Sequence, residues 1–390
     1  MSDTPPDLPP DDWLLLAEPD SGELEAQLVQ AALASPRWSA GRLVERFEVG
    51  FARELGRAHA VAVASGTIGT WLALRALGLG PGDEVIASPY GWHQVAHAVT
   101  LTGARLVFAD IDYWSGCLDA TRAAAQITPA TRAILAGNVN GHPAAWGAFR
   151  ELADARGLAL IEDSTEAIGS VYQGQPVGSF GDVSVFDFSQ PSPLSCGDGG
   201  MVVTDDPRLA SELRYLRSRS LADRRSVSVG SRVPLQAAMS EVTAALGVAQ
   251  LSRLDEILAR RKAVEASYLA QMLSFEGIKP PYVAPGVDAV HWMLYIVHLG
   301  KRFTASACAE IVEDLATECI EAVMYCQPMH QQHHYMQQGW KRGALPLTER
   351  IADRALALPL HGALTPEHVE FIVKTLKDSS VNVGAGAAIY

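Results

Sequence analysis

Acidic and hydroxyl side chains follow several of the short apolar runs of this chain, and such groups can move protons. Asp163 and Glu166 come after one predicted strand. Asp187 and Ser192 come after another. A positioned carboxylate, hydroxyl or imidazole can act as a general acid or base, and His93 adds an imidazole in a loop. Candidates for such acid/base catalysis include His93, Glu166, Asp187 and Ser192.

A second chemical feature lies where a predicted strand gives way to a predicted helix, at Ser65, Gly66 and Thr67. Backbone N–H groups at a helix N-terminus bind anions, so this turn is a candidate phosphate site. Serine and threonine are also the ordinary N-caps of helices. The tripeptide alone therefore leaves both interpretations open.

The elements that must position these residues alternate between strands and helices. Short apolar runs separated by helix-sized segments indicate βαβ units and a mostly parallel sheet. The predicted strands are 59–64, 84–87, 105–108, 133–135, 159–161, 183–186 and 200–204, with another at 292–299. Helices are predicted at 23–34, 44–55, 240–268, 305–316 and 366–376. The later elements predict a second, smaller α+β domain.

Composition limits the partners that this chain can have. Its net charge of −13 argues against nucleic acid or an anionic membrane as a partner. We see no apolar run that approaches the roughly 20 residues of a membrane span and no signal-peptide pattern. The five cysteines form no CxxC pair and no metal-binding spacing, which indicates reduced thiols and a cytoplasmic location.

A series of short motifs follows in a defined order along the chain. They are 63–67 (VASGT), 81–86 (PGDEVI), 110–112 (DID), 157–163 (GLALIED), 178–182 (GSFGD), 197–204 (GDGGMVVT), 239–245 (MSEVTAA), 328–330 (PMH) and 356–360 (LALPL). This ordered set resembles that of the DegT/DnrJ/EryC1/StrS family of sugar aminotransferases. The resemblance runs from about residue 24 to residue 376. Single motifs are modestly specific, but the ordered set is highly specific.

The resemblance implies an α/β protein of aminotransferase fold type I. In that fold a large domain with a mostly parallel seven-stranded sheet precedes a small C-terminal α+β domain. We place a flexible tail at 1–22, the large domain at 23–255, the small domain at 256–380 and a second tail at 381–390. The family also implies a homodimer whose active sites lie at the subunit interface.

The same resemblance assigns a cofactor site for pyridoxal phosphate (PLP). It implies that Ser65, Gly66 and Thr67 hold the phosphate and that Trp92 stacks on the ring. It implies that Asp163 keeps the ring nitrogen protonated, which makes PLP an electron sink. The alternative for Asp163 is a helix cap. Gln236 is the nearest candidate for the residue that the neighbouring subunit contributes.

Other polar residues near these motifs remain open. Four arginines form either an exposed basic loop or the entrance for an anionic substrate: Arg219, Arg224, Arg225 and Arg232. His330, with His333 and His334, falls where the family closes its substrate pocket. We expect no metal there, because no carboxylate or thiol stands at a suitable spacing.

The segment 186–200 departs from the family pattern at two positions. Ser192 stands where the family carries the lysine that binds PLP covalently, and the first lysine of the chain is Lys262. A serine hydroxyl cannot form a Schiff base. Asp187 stands where the family has a phosphate-binding serine. A carboxylate about 4 Å from a phosphate repels each negative charge by about 4 kcal/mol at an effective dielectric near 20.

These departures lead us to expect an enzyme that does not transaminate conventionally, and the family resemblance implies a role in natural-product metabolism. We favour cofactor-independent acid/base or cyclisation chemistry on a small polar substrate, with no cofactor. The alternative is dehydration or related ketimine chemistry on a keto-sugar, with pyridoxamine phosphate (PMP) or PLP held non-covalently. A third interpretation is a non-catalytic dimer partner or regulator.

Overall fold

The computed structural model describes residues 13–92, 94–218, 233–272 and 277–386. Its strands are β1 (His59–Val63), β2 (Glu84–Ala87), β3 (Arg105–Phe108), β4 (Thr131–Gly137), β5 (Ala159–Asp163), β6 (Val171–Tyr172), β7 (Gln175–Pro176), β8 (Val183–Asp187), β9 (Gly200–Thr204), β10 (Ile278–Lys279), β11 (Val287–Ala289), β12 (Tyr295–Leu299), β13 (Val323–Met324) and β14 (Ala355–Leu358).

The α-helices of the described residues lie between and around these strands. They are α1 (Glu23–Ala34), α2 (Arg42–Glu54), α3 (Gly66–Ala76), α4 (Gln94–Thr102), α5 (Ala120–Ala125), α6 (Trp146–Arg156), α7 (Pro207–Arg217), α8 (Glu241–Ser252), α9 (Leu254–Met272), α10 (Ala305–Thr317), α11 (His333–Gln337), α12 (Pro346–Ala352) and α13 (Pro366–Gly386). None of these described helices is both long enough and apolar enough to cross a membrane.

A seven-stranded sheet forms the centre of the large domain, in the order β1-β9-β8-β5-β4-β2-β3. β9 runs antiparallel to both of its neighbours, and the other pairings are parallel. Strands β2, β8 and β9 are buried along their whole length, as expected for a sheet that helices cover on both faces. The prediction of a mostly parallel seven-stranded sheet is confirmed.

The C-terminal part of the chain builds a second sheet of four strands, β10-β12-β14-β13. Its pairings are antiparallel. Helices α9, α10 and α13 supply apolar residues to the core against this sheet, where Tyr268 stacks on Tyr295 with ring centroids 4.2 Å apart. A small three-stranded sheet, β11-β6-β7, links this part of the chain to the segment after β5.

Two of the predicted helices differ from the observed ones by more than two residues. The predicted helix 240–268 is two helices, because Arg253 between α8 and α9 adopts the non-helical angles φ −110° and ψ 6°. The guanidinium of Arg253 bonds Asp20 and Glu25. Helix α13 continues to Gly386, beyond the predicted end at Leu376. The described part of the predicted N-terminal tail is bonded to the small domain, since the Leu14 N–H donates to the Cys319 carbonyl at 2.8 Å.

Candidate active site

The site forms at the carboxyl ends of adjacent parallel strands. In the register of β4, β5 and β8, Gly137 lies opposite Asp163, and Asp163 lies opposite Val185. Asp187 is the last residue of β8. The crevice outside the carboxyl ends of the strands is where open α/β sheets bind ligands. The sheet therefore places Asp163 and Asp187 at one edge, close enough for the charge of Asp187 to raise the pKa of Asp163.

Asp163 is a buried carboxyl group on the wall of a small cavity. Its Oδ1 accepts a hydrogen bond from the Thr165 N–H at 3.1 Å. Burial, with the nearby negative charge of Asp187 as a smaller cause, raises the pKa of Asp163 from 3.8 to about 6. Asp163 is therefore mostly ionised at neutral pH, and its environment favours a cationic or hydrogen-donating partner.

Glu166 lines the same cavity and is more strongly perturbed. The Tyr325 hydroxyl lies 2.7 Å from both carboxylate oxygens, and the Asn140 N–H donates to Oε2. Burial is the main cause that raises the pKa of Glu166 from 4.5 to about 7, and the charge of Asp163 adds to it. The carboxyl group is thus close to half-protonated at neutral pH, as a proton-transfer group requires.

Tyr325 and Asn140 are site residues that the sequence analysis missed. Tyr325 comes from the region of the second sheet, 159 residues from Glu166 along the chain. Burial raises its pKa well above the ordinary value of 10, so the hydroxyl keeps its proton. Neither residue belongs to a motif with a chemical signature, and we find no sequence signal that would have identified them.

The Asp187 carboxylate lies directly on the N-terminus of α3. The Gly66 N–H donates to Oδ2 at 2.6 Å. On the other side the Ser189 N–H donates to Oδ1 at 2.8 Å, and the Ser189 hydroxyl bonds the same oxygen. Ser65 is the N-cap and accepts from the Ile68 N–H at 3.3 Å. The predicted anion site at the helix start thus contacts an anion of the chain itself.

Trp92 lies between two cavities, as expected for a residue that borders a binding site. The smaller cavity, of about 20 Å³, is lined by Trp92, Asp163 and Glu166. The larger cleft, of about 480 Å³, is lined by Trp92, Pro191 and Tyr325 among others. The structure therefore brings three predicted site residues together around one small cavity and places a roomier cleft beside it.

Ser192 lies in a turn that it shares with Ser189, whose carbonyl accepts the Ser192 N–H at 3.1 Å. The residue is buried, and within the described part of the chain its hydroxyl has no hydrogen-bond partner. All six lysines lie in described segments, and none lines either cavity. No lysine ammonium of this chain therefore borders Asp163 and Glu166.

The remaining predicted residues either lie outside the described part of the chain or do not line these two cavities. His93 and the four loop arginines lie outside the described residues. Gln236 is exposed and lines neither cavity, so its predicted role through a second subunit stays a prediction. His330 is buried, and its Nε2 lies 3.0 Å from an oxygen of Glu349. The described residues contain no cluster that could hold a metal ion.

Comparison with known proteins assigns the family. The model of the DegT/DnrJ/EryC1/StrS aminotransferase family matches residues 19–377. The chain belongs to this family. The dTDP-3-amino-3,4,6-trideoxy-alpha-D-glucose transaminase of Streptomyces venezuelae is 37% identical over 337 residues, which cover 85% of this chain and 86% of the relative. The GDP-perosamine synthase of Caulobacter vibrioides is 34% identical, with 87% and 90% covered.

A solved structure supports the fold. DesV of S. venezuelae, in complex with a ketimine intermediate, has a TM-score of 0.83 and 34% identity, and the match covers 91% of this chain and 93% of DesV. The predicted family and the predicted aminotransferase fold are both confirmed by these DegT/DnrJ/EryC1/StrS relatives.

The relatives also correct our expectation about the reaction. We predicted an enzyme that does not transaminate, with cofactor-free chemistry, ketimine dehydration or a non-catalytic role as the options. The curated relatives include a sugar transaminase of 37% identity, so this prediction is wrong. The expected absence of a cofactor has no support either, because DesV was captured with a ketimine intermediate.

Proposed function

We propose that this DegT/DnrJ/EryC1/StrS protein is a transaminase-type enzyme of amino-sugar formation that acts on a nucleotide-linked sugar. Two relatives carry dTDP-linked and GDP-linked sugars in their names. The observation that carries the proposal is the pair of buried carboxyl groups, Asp163 and Glu166, on one cavity wall. Their pKa values of about 6 and about 7 suit a counter-ion and a proton-transfer group, respectively.

The site residues fit the pyridine ring of the family's cofactor but not its phosphate group. Asp163 is a buried, ionised carboxylate on the cavity wall, which suits the protonated nitrogen of a pyridine ring. The helix N-terminus that would meet the phosphate already binds the carboxylate of Asp187. Ser192 provides no amine for a covalent link. We therefore assign roles to the chain's own groups and route no step through the cofactor.

We assign proton transfer to Glu166. Forming an amine from a carbonyl requires a proton at the departing oxygen and another at the carbon that becomes C–H. In the family's pattern a lysine amine is available for such transfers, and here Ser192 stands in its place. A carboxyl group with a pKa of about 7 can both accept and return a proton at neutral pH. The Tyr325 hydroxyl orients this carboxyl group by bonding it at 2.7 Å.

We assign the substrate to the larger cleft beside Trp92. Its volume of about 480 Å³ lies within the range of ordinary small-molecule sites. The lining is mainly apolar, with Leu16, Pro191 and Met324 among its residues. Such walls suit a sugar that has lost hydroxyl groups, because each buried hydroxyl would need a hydrogen-bond partner.

The test is direct detection of the product. The purified protein is incubated with a dTDP-linked or GDP-linked keto-deoxysugar and glutamate, with PLP, PMP, pyridoxal or pyridoxamine in separate reactions. We expect an amino sugar in the mass spectrum and a fall in kcat of about a hundredfold or more for Glu166→Gln. Absence of amino sugar in all four reactions would overturn the proposal.

A matched control separates chemistry from folding. Asp110 is another buried carboxylate, and it accepts hydrogen bonds at the start of α12 from the Leu347 and Thr348 N–H groups at 3.0 and 2.9 Å. It lines neither cavity. We expect Asp110→Asn to keep its kcat, whereas equal losses in Asp110→Asn and Glu166→Gln would remove the role of Glu166.

We further propose that two copies form the working enzyme, as the family resemblance implies. Gln236 would then reach the site of the other copy, which accords with its exposure in the single chain. Light scattering at micromolar concentration should give twice the chain mass of 41.7 kDa. A monomer that is fully active would contradict this proposal.

A further inference from the structure

The Asp187 carboxylate occupies the start of α3 as a bound anion would. It is 2% exposed and accepts hydrogen bonds from the Gly66 N–H, the Ser189 N–H and the Ser189 hydroxyl. The Ile68 N–H donates to the Ser65 hydroxyl. Two of the first three amide groups of the helix therefore already donate to side chains of this chain.

The Asp187 side chain packs directly against Gly66. A Cβ atom built on Gly66 would lie 2.7 Å from Cβ of Asp187 and 2.8 Å from its Oδ2. These distances are shorter than any ordinary contact between a Cβ atom and its neighbours. A phosphate at the Gly66 N–H would have to displace the carboxylate, and the displaced charge would need a new partner in a buried place.

The charges around the cavities also oppose a phosphate. Asp163 and Glu166 line the smaller cavity, and Asp187 is close enough to Asp163 to affect its titration. No lysine or arginine appears among the described residues that line the smaller cavity or the cleft. A phosphate carries close to two negative charges and would meet this acidic surface without a basic side chain from those walls.

A separate observation points to an uncharged polar ligand at the same turn. Ser192 is 8% exposed, and among the described residues its hydroxyl has no hydrogen-bond partner. Its N–H donates to the carbonyl of Ser189, whose own side chain bonds Asp187. A buried hydroxyl without a partner is costly, and a hydroxyl of a ligand could both donate to it and accept from it.

We infer that Asp187 replaces the cofactor phosphate as a built-in anion, so that this site selects the unphosphorylated forms of vitamin B6. Pyridoxamine and pyridoxal carry a hydroxymethyl group where the phosphorylated forms carry a phosphate ester. A hydroxyl group can donate to a carboxylate, whereas a phosphate dianion is repelled by it. The inference rests on the proposed function in one respect, namely that a B6 ring binds beside Asp163.

The experiment compares two ligands in the absence of any sugar. Equilibrium dialysis measures the binding of pyridoxamine and of PMP to the full-length protein, each also in the presence of inorganic phosphate. We expect the wild-type protein to bind pyridoxamine at least about tenfold more tightly than PMP, because one nearby charge repels the phosphate. Inorganic phosphate should not compete with pyridoxamine.

The variant Asp187→Ser restores the family's residue and should reverse the preference. Its affinity for PMP should rise about a hundredfold or more, and inorganic phosphate should then compete. Asp187→Asn keeps the shape and an acceptor for the Gly66 N–H, so that it should reduce the preference without disturbing the fold. Asp110→Asn, away from both cavities, should bind as the wild type does.

Three results would overturn the inference. They are equal or tighter binding of PMP by the wild-type protein, no binding of pyridoxamine, and an unchanged preference in both Asp187 variants. The proposed function is tested separately. A protein that binds pyridoxamine but forms no amino sugar would retain this inference and refute the function. A protein that forms amino sugar and binds PMP more tightly than pyridoxamine would support the proposed function and refute this inference.

Discussion

Glu166→Gln should stabilise this protein at alkaline pH, although it removes a proposed catalytic group. Burial raises the pKa of Glu166 from 4.5 to about 7, so the folded chain holds this proton more tightly than the unfolded chain. Where the folded state binds more protons, stability falls as pH rises. The stability that this bound proton provides starts to fall near pH 4.5, falls further up to about pH 7 and is fully lost above that pH.

The size of the effect follows from the shift in pKa. From 4.5 to about 7 is about 2.5 units, and each unit corresponds to about 1.4 kcal/mol, which gives about 3 kcal/mol. Glutamine carries no charge at any pH. Its oxygen can accept from the Asn140 N–H, and its amide can donate to the Tyr325 oxygen. The variant should therefore be up to about 3 kcal/mol more stable than the wild type at pH 8.

Urea unfolding at pH 4.5 and pH 8 tests the prediction through the free energy of unfolding. The two proteins should be nearly equal at pH 4.5 and differ at pH 8. Glu162 is the matched control, since its carboxylate accepts hydrogen bonds from three backbone N–H groups in the segment 178–181. Glu162→Gln should lose stability at both pH values. A Glu166→Gln variant that is less stable than the wild type at pH 8 would refute the reasoning.

Three further variants, one of them a double substitution, have defined outcomes. Glu241→Ala removes an acceptor of three N–H groups at the start of α2 and should cost about 2–3 kcal/mol in urea unfolding; a loss under about 1 kcal/mol would contradict this. Arg261→Met leaves three buried carbonyls without their guanidinium donor and should cost at least about 3 kcal/mol, whereas an unchanged thermal midpoint would contradict it. Ser192→Lys combined with Asp187→Ser should retain PLP covalently after borohydride reduction, seen as added protein mass. The single variant Ser192→Lys should not retain PLP. Equal labelling of the single and the double variant would show that Asp187 does not oppose the phosphate.

Local sequence patterns predicted much of the fold because buried strands are continuous apolar runs. β2, β3 and β9 have the predicted bounds, and α1 does as well. The break between α8 and α9 was missed because the apolar spacing continues across Arg253. The backbone leaves the helical conformation there, and the Arg253 side chain bonds Asp20 and Glu25 far along the chain.

The sequence by itself determined the family, the fold type and the two unusual residues of the segment 186–200, Asp187 and Ser192. It also established that no lysine precedes Lys262, because that is a property of the chain and not of its conformation. The order of the motifs along the chain identified the family, and that order can be read directly from the sequence.

Only the tertiary structure decided what those residues contact. Asp187 meets the Gly66 N–H across 121 residues, and Glu166 meets Tyr325 across 159 residues. Such contacts depend on how strands and domains pack, and burial in that packing sets the pKa values of Asp163 and Glu166. The sequence indicated a carboxylate in place of a serine, and the fold placed it on the donors of the helix N-terminus.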